Sequence, residues 1–227
     1  MINVNNLVEN NKNIKYGTFL KKDIDNFDLL LRFFPSKTMF INAVGLNRPF
    51  NQRQHDRFSL SYEKTVYENF THLNSNEGRG ICSDNDLFKI WINFIKFLKS
   101  SKYKKFLMNF FQIKNFELRF EWHIMSNNQD LSPHLDSPTK IGAQLFYFNS
   151  PEDWNQSWGG ETILCLGKKI SENNPELEHF QDLVSISNLD YGSLIFKNSP
   201  DAWHSVKEIH CPLGYERRLF MMVINSA

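Results

Sequence analysis

The sequence predicts a mainly β protein, a sandwich or barrel of short strands flanked by a few helices, and three observations carry that expectation. The C-terminal half breaks into short apolar runs separated by Gly, Pro, Asn and Ser turns. One of these runs, residues 116–125, alternates with a period of two. A longer segment ahead of it, residues 84–111, repeats its apolar positions with helical spacing instead. The chain has 227 residues, no internal repeat and no linker-like stretch, enough for one well-buried core. It reads as a single domain over 1–227, with an N-terminal helical and substrate-side extension (1–115) and a β core (116–227).

Two helices are expected in the extension. Residues 24–34 read as a short helix started by Asp23 and stopped before Pro35, because the residue preceding a proline is pushed out of the α region. In residues 84–111, Ser83 and Asp86 stand at capping-box spacing, and Leu87, Ile90, Trp91, Phe94 and Leu98 recur on one face. A break is expected near Ser100 and Ser101. Lys96, Lys99, Lys102, Lys104 and Lys105 gather here and read as a solvated face, a basic patch being the alternative. In residues 116–125, Phe116, Leu118, Phe120, Trp122 and Ile124 take one side, while Glu117, Arg119, Glu121 and His123 take the other, the pattern of a strand with one buried face. Further strands are expected at 141–148, 163–166, 192–196, 203–206 and 217–225.

Most of the 21 Phe fall in periodic positions and read as core, and a net charge of +1 gives no general drive toward nucleic acid or membrane. Cys82, Cys165 and Cys211 are odd in number and lack metal-site spacing, so they read as free thiols of a reducing compartment. No leader pattern opens the sequence, and no apolar run approaches the ~20 residues of a membrane span. A cytoplasmic protein is expected.

The chemistry-bearing residues are spread along the β core. His134 and Asp136 stand two apart, which on extended backbone puts an imidazole and a carboxylate on one face. His204 can add a second imidazole from another strand. Two His and one carboxylate form a facial set that leaves open positions on an octahedral Fe(II). Downstream, Arg217 and Arg218 offer planar, permanently charged groups that pair both oxygens of a carboxylate. His55, His72, His123, His179 and His210 have no second ligand at useful spacing and read as structural or surface residues.

In order, the sequence holds His134-Leu135-Asp136, a Tyr147-containing strand ending in Asn149, Gly159-Gly160-Glu161, a strand, a turn, Trp203-His204-Ser205-Val206, and a last strand opened by Arg217. With this ordered set, residues 116–225 resemble the 2-oxoglutarate and Fe(II)-dependent oxygenases, prolyl-4-hydroxylase-like branch. The resemblance implies a double-stranded β-helix, a jelly roll of two sheets with the metal near one open end, and the helices would pack outside the larger sheet. It also implies Fe(II) on His134, Asp136 and His204, 2-oxoglutarate as co-substrate, O2, and hydroxylation of an unactivated C–H bond with succinate and CO2 as co-products.

One arginine would hold the far carboxylate of 2-oxoglutarate. Neighbours on a strand face opposite sides; Arg217 is preferred on the family's strand pattern, although Leu219 stands where many relatives have Ser, and Arg218 stays open. Tyr147 aligns with a tyrosine that in relatives bonds the same carboxylate, with a core aromatic as the alternative. Trp203 is expected to wall the site. Residues 47–57, with Arg48, Gln52, Arg53 and Asp56, and the loop of Trp154 and Trp158 are the candidate rim for a small-molecule or peptide substrate, although a hydrophobic anchor suits the two tryptophans better. Two rival classes are a nucleic-acid demethylase of the same chemistry, which wants a clear basic stripe, and a non-catalytic binding module of this fold, which would lack a ligand or the arginine.

Overall fold

The computed structural model describes residues 1–10, 13–46, 49–63 and 80–227, without the side chains of 43–49. Asn47, Arg48, His72 and the polar stretch 74–79 lie outside the described residues.

Two sheets face each other. The larger runs in the order β1 (Val8–Asn10), β2 (Tyr16–Leu20), β11 (Tyr191–Lys197), β8 (Lys140–Tyr147), β13 (Arg217–Asn225), β6 (Glu117–Met125), β4 (His55–Tyr62) and β3 (Ile41–Leu46), with β5 (Gly80–Cys82) parallel to β4. The smaller runs β10 (Phe180–Ile186), β9 (Thr162–Lys168), β12 (Trp203–Val206) and β7 (Leu131–His134). This is a mainly β sandwich of two sheets, as the turn-separated apolar runs predict, and a jelly roll, as the resemblance implies. The extension is less helical than expected. It contributes β1 to β5, and β4 pairs with β6 through Phe58 opposite Ile124 to Ser61 opposite Glu121.

The helices pack on the larger sheet. Residues 84–111 divide as expected: the capping box of Ser83 and Asp86 starts a 3-10 turn, then α2 (Lys89–Leu98) ends and α3 (Ser101–Phe111) begins with Ser100 Oγ accepting from Tyr103 N at 3.3 Å. Trp91, Phe94, Ile95 and Leu98 of α2 and Tyr103, Leu107, Phe110 and Phe111 of α3 are buried in one cluster with Phe120, Trp122, Phe146, Phe148, Phe220 and Met222 of the sheet region. The first helix is shorter than the sequence suggests: α1 spans Phe27–Arg32, because Asn26 takes a left-handed conformation (φ 58°) and Asp23 closes a separate 3-10 turn. Lys96, Lys99, Lys102, Lys104 and Lys105 are all solvent-exposed.

The opposite face of the larger sheet packs on the smaller one. Ala143, Leu145 and Tyr147 of β8 and Leu219, Met221 and Val223 of β13 join Leu164 and Leu166 of β9 in that inter-sheet core. In β13, odd residues therefore face the inter-sheet space and even residues face the helices. The expectation that β6 has one buried side is corrected. Arg119, Glu121 and His123 are 6%, 1% and 4% exposed, since their face of the sheet looks into the inter-sheet space rather than into solvent. They pair with one another across that face: Arg119 Nη1 lies 3.1 Å from Glu121 Oε1, and His123 Nε2 lies 3.1 Å from Glu121 Oε2.

Candidate metal centre

Local strand geometry builds the site. His134, the last residue of β7, is the direct cross-strand partner of His204 in β12. Residues directly opposite on an antiparallel pair present neighbouring side chains on one face, and the two rings stand 4.2 Å apart between centroids. Asp136 follows two residues beyond the end of β7. One ligand atom from each of His134, Asp136 and His204 lies within 4.8 Å of the others, and all three side chains are buried.

Each histidine is held in the same tautomer by its own backbone. His134 Nδ1 lies 2.8 Å from Ser132 O, and His204 Nδ1 lies 3.0 Å from Ala202 O. A carbonyl oxygen only accepts, so both Nδ1 atoms carry the proton, and in the neutral ring Nε2 is then a lone-pair donor. Metal-binding histidines are oriented in this way. Lys140 Nζ donates to Asp136 Oδ1 at 2.6 Å, an ion pair that fixes one side of the carboxylate. Two neutral nitrogens and one anionic oxygen, buried and converging, fit a ferrous ion; three protein ligands leave the rest of its coordination shell to smaller molecules.

Arg217 lines the same recess, with Thr162, Leu145, Leu219, Val206 and the three candidate ligands. It is 2% exposed. Nε donates to Gly160 O at 2.5 Å and Nη2 to Thr162 Oγ1 at 3.2 Å, so the guanidinium plane is fixed. Burial pushes its pKa down, while Tyr147 and Glu161 push it back up; it stays charged. Gly159 and Gly160 fit here for steric reasons. Both have positive φ (82° and 81°), and a Cβ on Gly159 would stand 2.0 Å from Glu208 O, while one on Gly160 would stand 3.1 Å from Arg217 Cδ. Tyr147 is fully buried beside Arg217, its hydroxyl donating to Thr162 Oγ1 at 2.9 Å, and burial pushes its pKa up to about 12.

Several expectations change. Arg218 points the other way, across the sheet: its Nη2 pairs with Asp153 and its guanidinium lies over the Phe34 ring. It does not line the recess that holds Arg217, because neighbours on β13 face opposite sides. Trp203 is not a wall of the recess; it flanks His204 and so faces outward, packed with Phe180 and Cys165 and overlain by Lys168. Trp154 is buried with Met125, Val206, Ile209 and Cys211, and its Nε1 donates to Gly159 O at 3.3 Å, so it is an anchor of its loop.

Of the five histidines read as structural or surface, His123 lines the recess and His55 packs against His134, while His210 is exposed. Gln52 is buried rather than at an open rim. No local sequence signal marks His123, His55 or Gln52 as neighbours of the ligands, since strand pairing and a long connection bring them there.

No family model matches the chain, and no curated protein matches it significantly. Solved structures do. An oxidoreductase of the 2OG-Fe(II) oxygenase family from Burkholderia pseudomallei superposes with a TM-score of 0.51 at 13% identity, covering 91% of this chain and 81% of that one. A Pseudomonas putida prolyl-4-hydroxylase gives 0.44 at 12% identity (62% and 66% covered). A Trichoplax adhaerens prolyl hydroxylase, solved with a peptide fragment of the hypoxia inducible factor oxygen degradation domain, gives 0.42 at 18% identity (58% and 56% covered). The chain spans less than two thirds of the length of these two prolyl hydroxylases. At such identities the likeness is one of fold: this chain has the jelly-roll fold of 2OG-Fe(II) oxygenases. Among the described residues, no helix is long and apolar enough to cross a membrane.

Proposed function

We propose that the chain is an Fe(II)- and 2-oxoglutarate-dependent dioxygenase of the prolyl-4-hydroxylase-like branch. It would hydroxylate an unactivated C–H bond of a small molecule or peptide side chain, with succinate and CO2 as co-products. The observation that carries this reading is the convergence of two histidines in the same backbone-fixed tautomer with a buried carboxylate, in one recess with a tethered, buried arginine. We take residues 1–227 as one oxygenase domain, because β2, β3 and β4 are hydrogen-bonded into the same sheet as β6, β8, β11 and β13.

His134, Asp136 and His204 would hold the ferrous ion, and Arg217 would receive the far carboxylate of 2-oxoglutarate. Iron and co-substrate supply the oxidative chemistry; the chain supplies placement. Thr162 Oγ1 takes hydrogen bonds from both Arg217 and Tyr147, so these three groups form the polar floor at that end. Leu145, Leu219, Val206 and Met221 give the recess apolar walls.

The test is to load the protein with Fe(II), add 2-oxoglutarate and a mixed library of small molecules and peptides, and measure succinate together with products heavier by one oxygen atom. His134→Ala or Asp136→Ala is expected to abolish succinate formation and Fe(II) binding. Unchanged turnover in either folded variant refutes the assignment of this centre. A wild-type protein that binds 2-oxoglutarate and Fe(II) and never forms succinate would instead be a binding module.

A further inference from the structure

The loop that carries two of the three ligands is held by a side chain from far away in the sequence. Gln52 is 5% exposed. Its amide closes on the backbone of Leu135, the residue between His134 and Asp136: Oε1 accepts from Leu135 N at 2.8 Å, and Nε2 donates to Leu135 O at 3.4 Å. Because β7 ends at His134, these two bonds replace the ladder that Leu135 would have in a longer strand. Three residues on, the His55 ring stands edge-on to His134 at 4.7 Å and 74°. Its Nε2 lies 3.4 Å from the hydroxyl of Ser132, the residue whose carbonyl orients His134.

The segment that supplies Gln52 is anchored in its turn. Arg53 N donates to Asn174 Oδ1 at 2.7 Å, Asn174 Nδ2 donates to Asn51 O at 3.0 Å, and Arg53 pairs with Glu176. The residues on both sides of Gln52 are thus tied to the connection between β9 and β10 of the smaller sheet. A rotation of the peptide groups flanking Leu135 would swing the His134 and Asp136 side chains relative to each other, and the Gln52 amide opposes that rotation from both polar groups of the residue.

We propose that Gln52 is a positioning residue of the metal centre, setting the spacing between His134 and Asp136 by clamping Leu135. The proposal rests on the reading of these residues as metal ligands. Gln52 makes its contacts with the loop backbone and acts through the ligands, as outer groups around metal sites do when their removal costs 10–100-fold in metal affinity.

The test uses Co(II) as the probe, followed by calorimetry and by its visible absorption, on the wild type, Gln52→Ala and Gln52→Met. Methionine keeps the reach and roughly the volume of glutamine without its amide, so it separates packing from clamping. Both variants are expected to bind Co(II) about 10–100-fold more weakly, with visible bands displaced from those of the wild type. If Gln52→Met restores wild-type affinity and spectrum, Gln52 is only packing and the proposal is overturned. If both variants match a wild type that binds Co(II), the clamp is overturned and the metal reading stands. A folded wild type that binds no Co(II) overturns the metal reading and this proposal with it. Should Gln52→Ala fail to fold, Gln52→Met decides alone.

Discussion

Replacing Arg217 by alanine is the sharpest probe of the proposed dicarboxylate site in the recess. The guanidinium is fully desolvated, with Nε and Nη2 held by Gly160 O and Thr162 Oγ1, so it meets a carboxylate with little rotamer freedom left to lose. Losing one partner of a buried, hydrogen-bonded charge pair costs about 2–5 kcal/mol. At 1.4 kcal/mol per tenfold, 2-oxoglutarate affinity should fall roughly 30- to 4,000-fold. The substitution also leaves Gly160 O without its donor, at about 1–3 kcal/mol of fold stability, so thermal melting must be followed in parallel. The assay is a calorimetric titration of 2-oxoglutarate into the Mn(II)-loaded protein, a redox-silent stand-in for the ferrous form. Arg218→Ala removes an ion pair with Asp153 on the far face and should leave that affinity within about twofold, because partly exposed pairs carry only ~0.2–1 kcal/mol. A large loss on Arg218→Ala with little on Arg217→Ala would refute the alternation argument. No loss on either would refute the co-substrate role.

Two further predictions test the thiols and the lysine surface. Burial pushes the Cys82 and Cys165 thiols up from 9.0 to about 12, so the folded state disfavours the thiolate. Their contribution to stability is complete below about pH 9 and is lost as pH rises toward 12. Urea midpoints should decline over that window less steeply in Cys165→Ala than in wild type, and iodoacetamide at pH 8 should label the native protein far more slowly than the unfolded one. Equal slopes, or rapid native labelling of Cys165, would contradict this. Neutralising Lys102, Lys104 and Lys105 to Gln should leave succinate formation unchanged. Gel shifts with duplex DNA should reveal no tight complex; a salt slope of about −0.9 per phosphate contact, abolished by those substitutions together with oligonucleotide demethylation, would favour a nucleic-acid substrate.

The sequence made the C-terminal strands legible because Gly, Pro, Asn and Ser mark their ends, and it made the candidate ligand trio legible because His134 and Asp136 are local while His204 sits in an ordered motif. It left the choice between Arg217 and Arg218 open for a physical reason. β13 is covered on both faces, so Leu219, Met221 and Val223 on one side and Phe220, Met222 and Ile224 on the other are equally apolar, and no alternation distinguishes them. The opposite problem hid β10, an edge strand whose Gln181, Asp182, Leu183 and Ser185 are exposed and which reads as a polar connection. β6 misled in a third way: its polar residues suggested a solvated face, yet they form an internal network under the smaller sheet. Gln52 and His55 were invisible as neighbours of the ligands because about 80 residues of chain separate them from residues 132–135.

In chain order β13 follows the twelve other strands of the described residues, yet it lies in the middle of the larger sheet, paired along its length with β6 on one side and β8 on the other. Until it docks, β4 and β6 cannot be joined to β8 and β11, and the two halves of the sheet expose unpaired edges. A chain emerging from the ribosome must therefore wait for β13 before either half is sealed, and contacts this distant in sequence close slowly. The same strand brings Arg217 into the recess. Completion of the sheet and completion of the polar floor are then one event, and a partly made chain has neither.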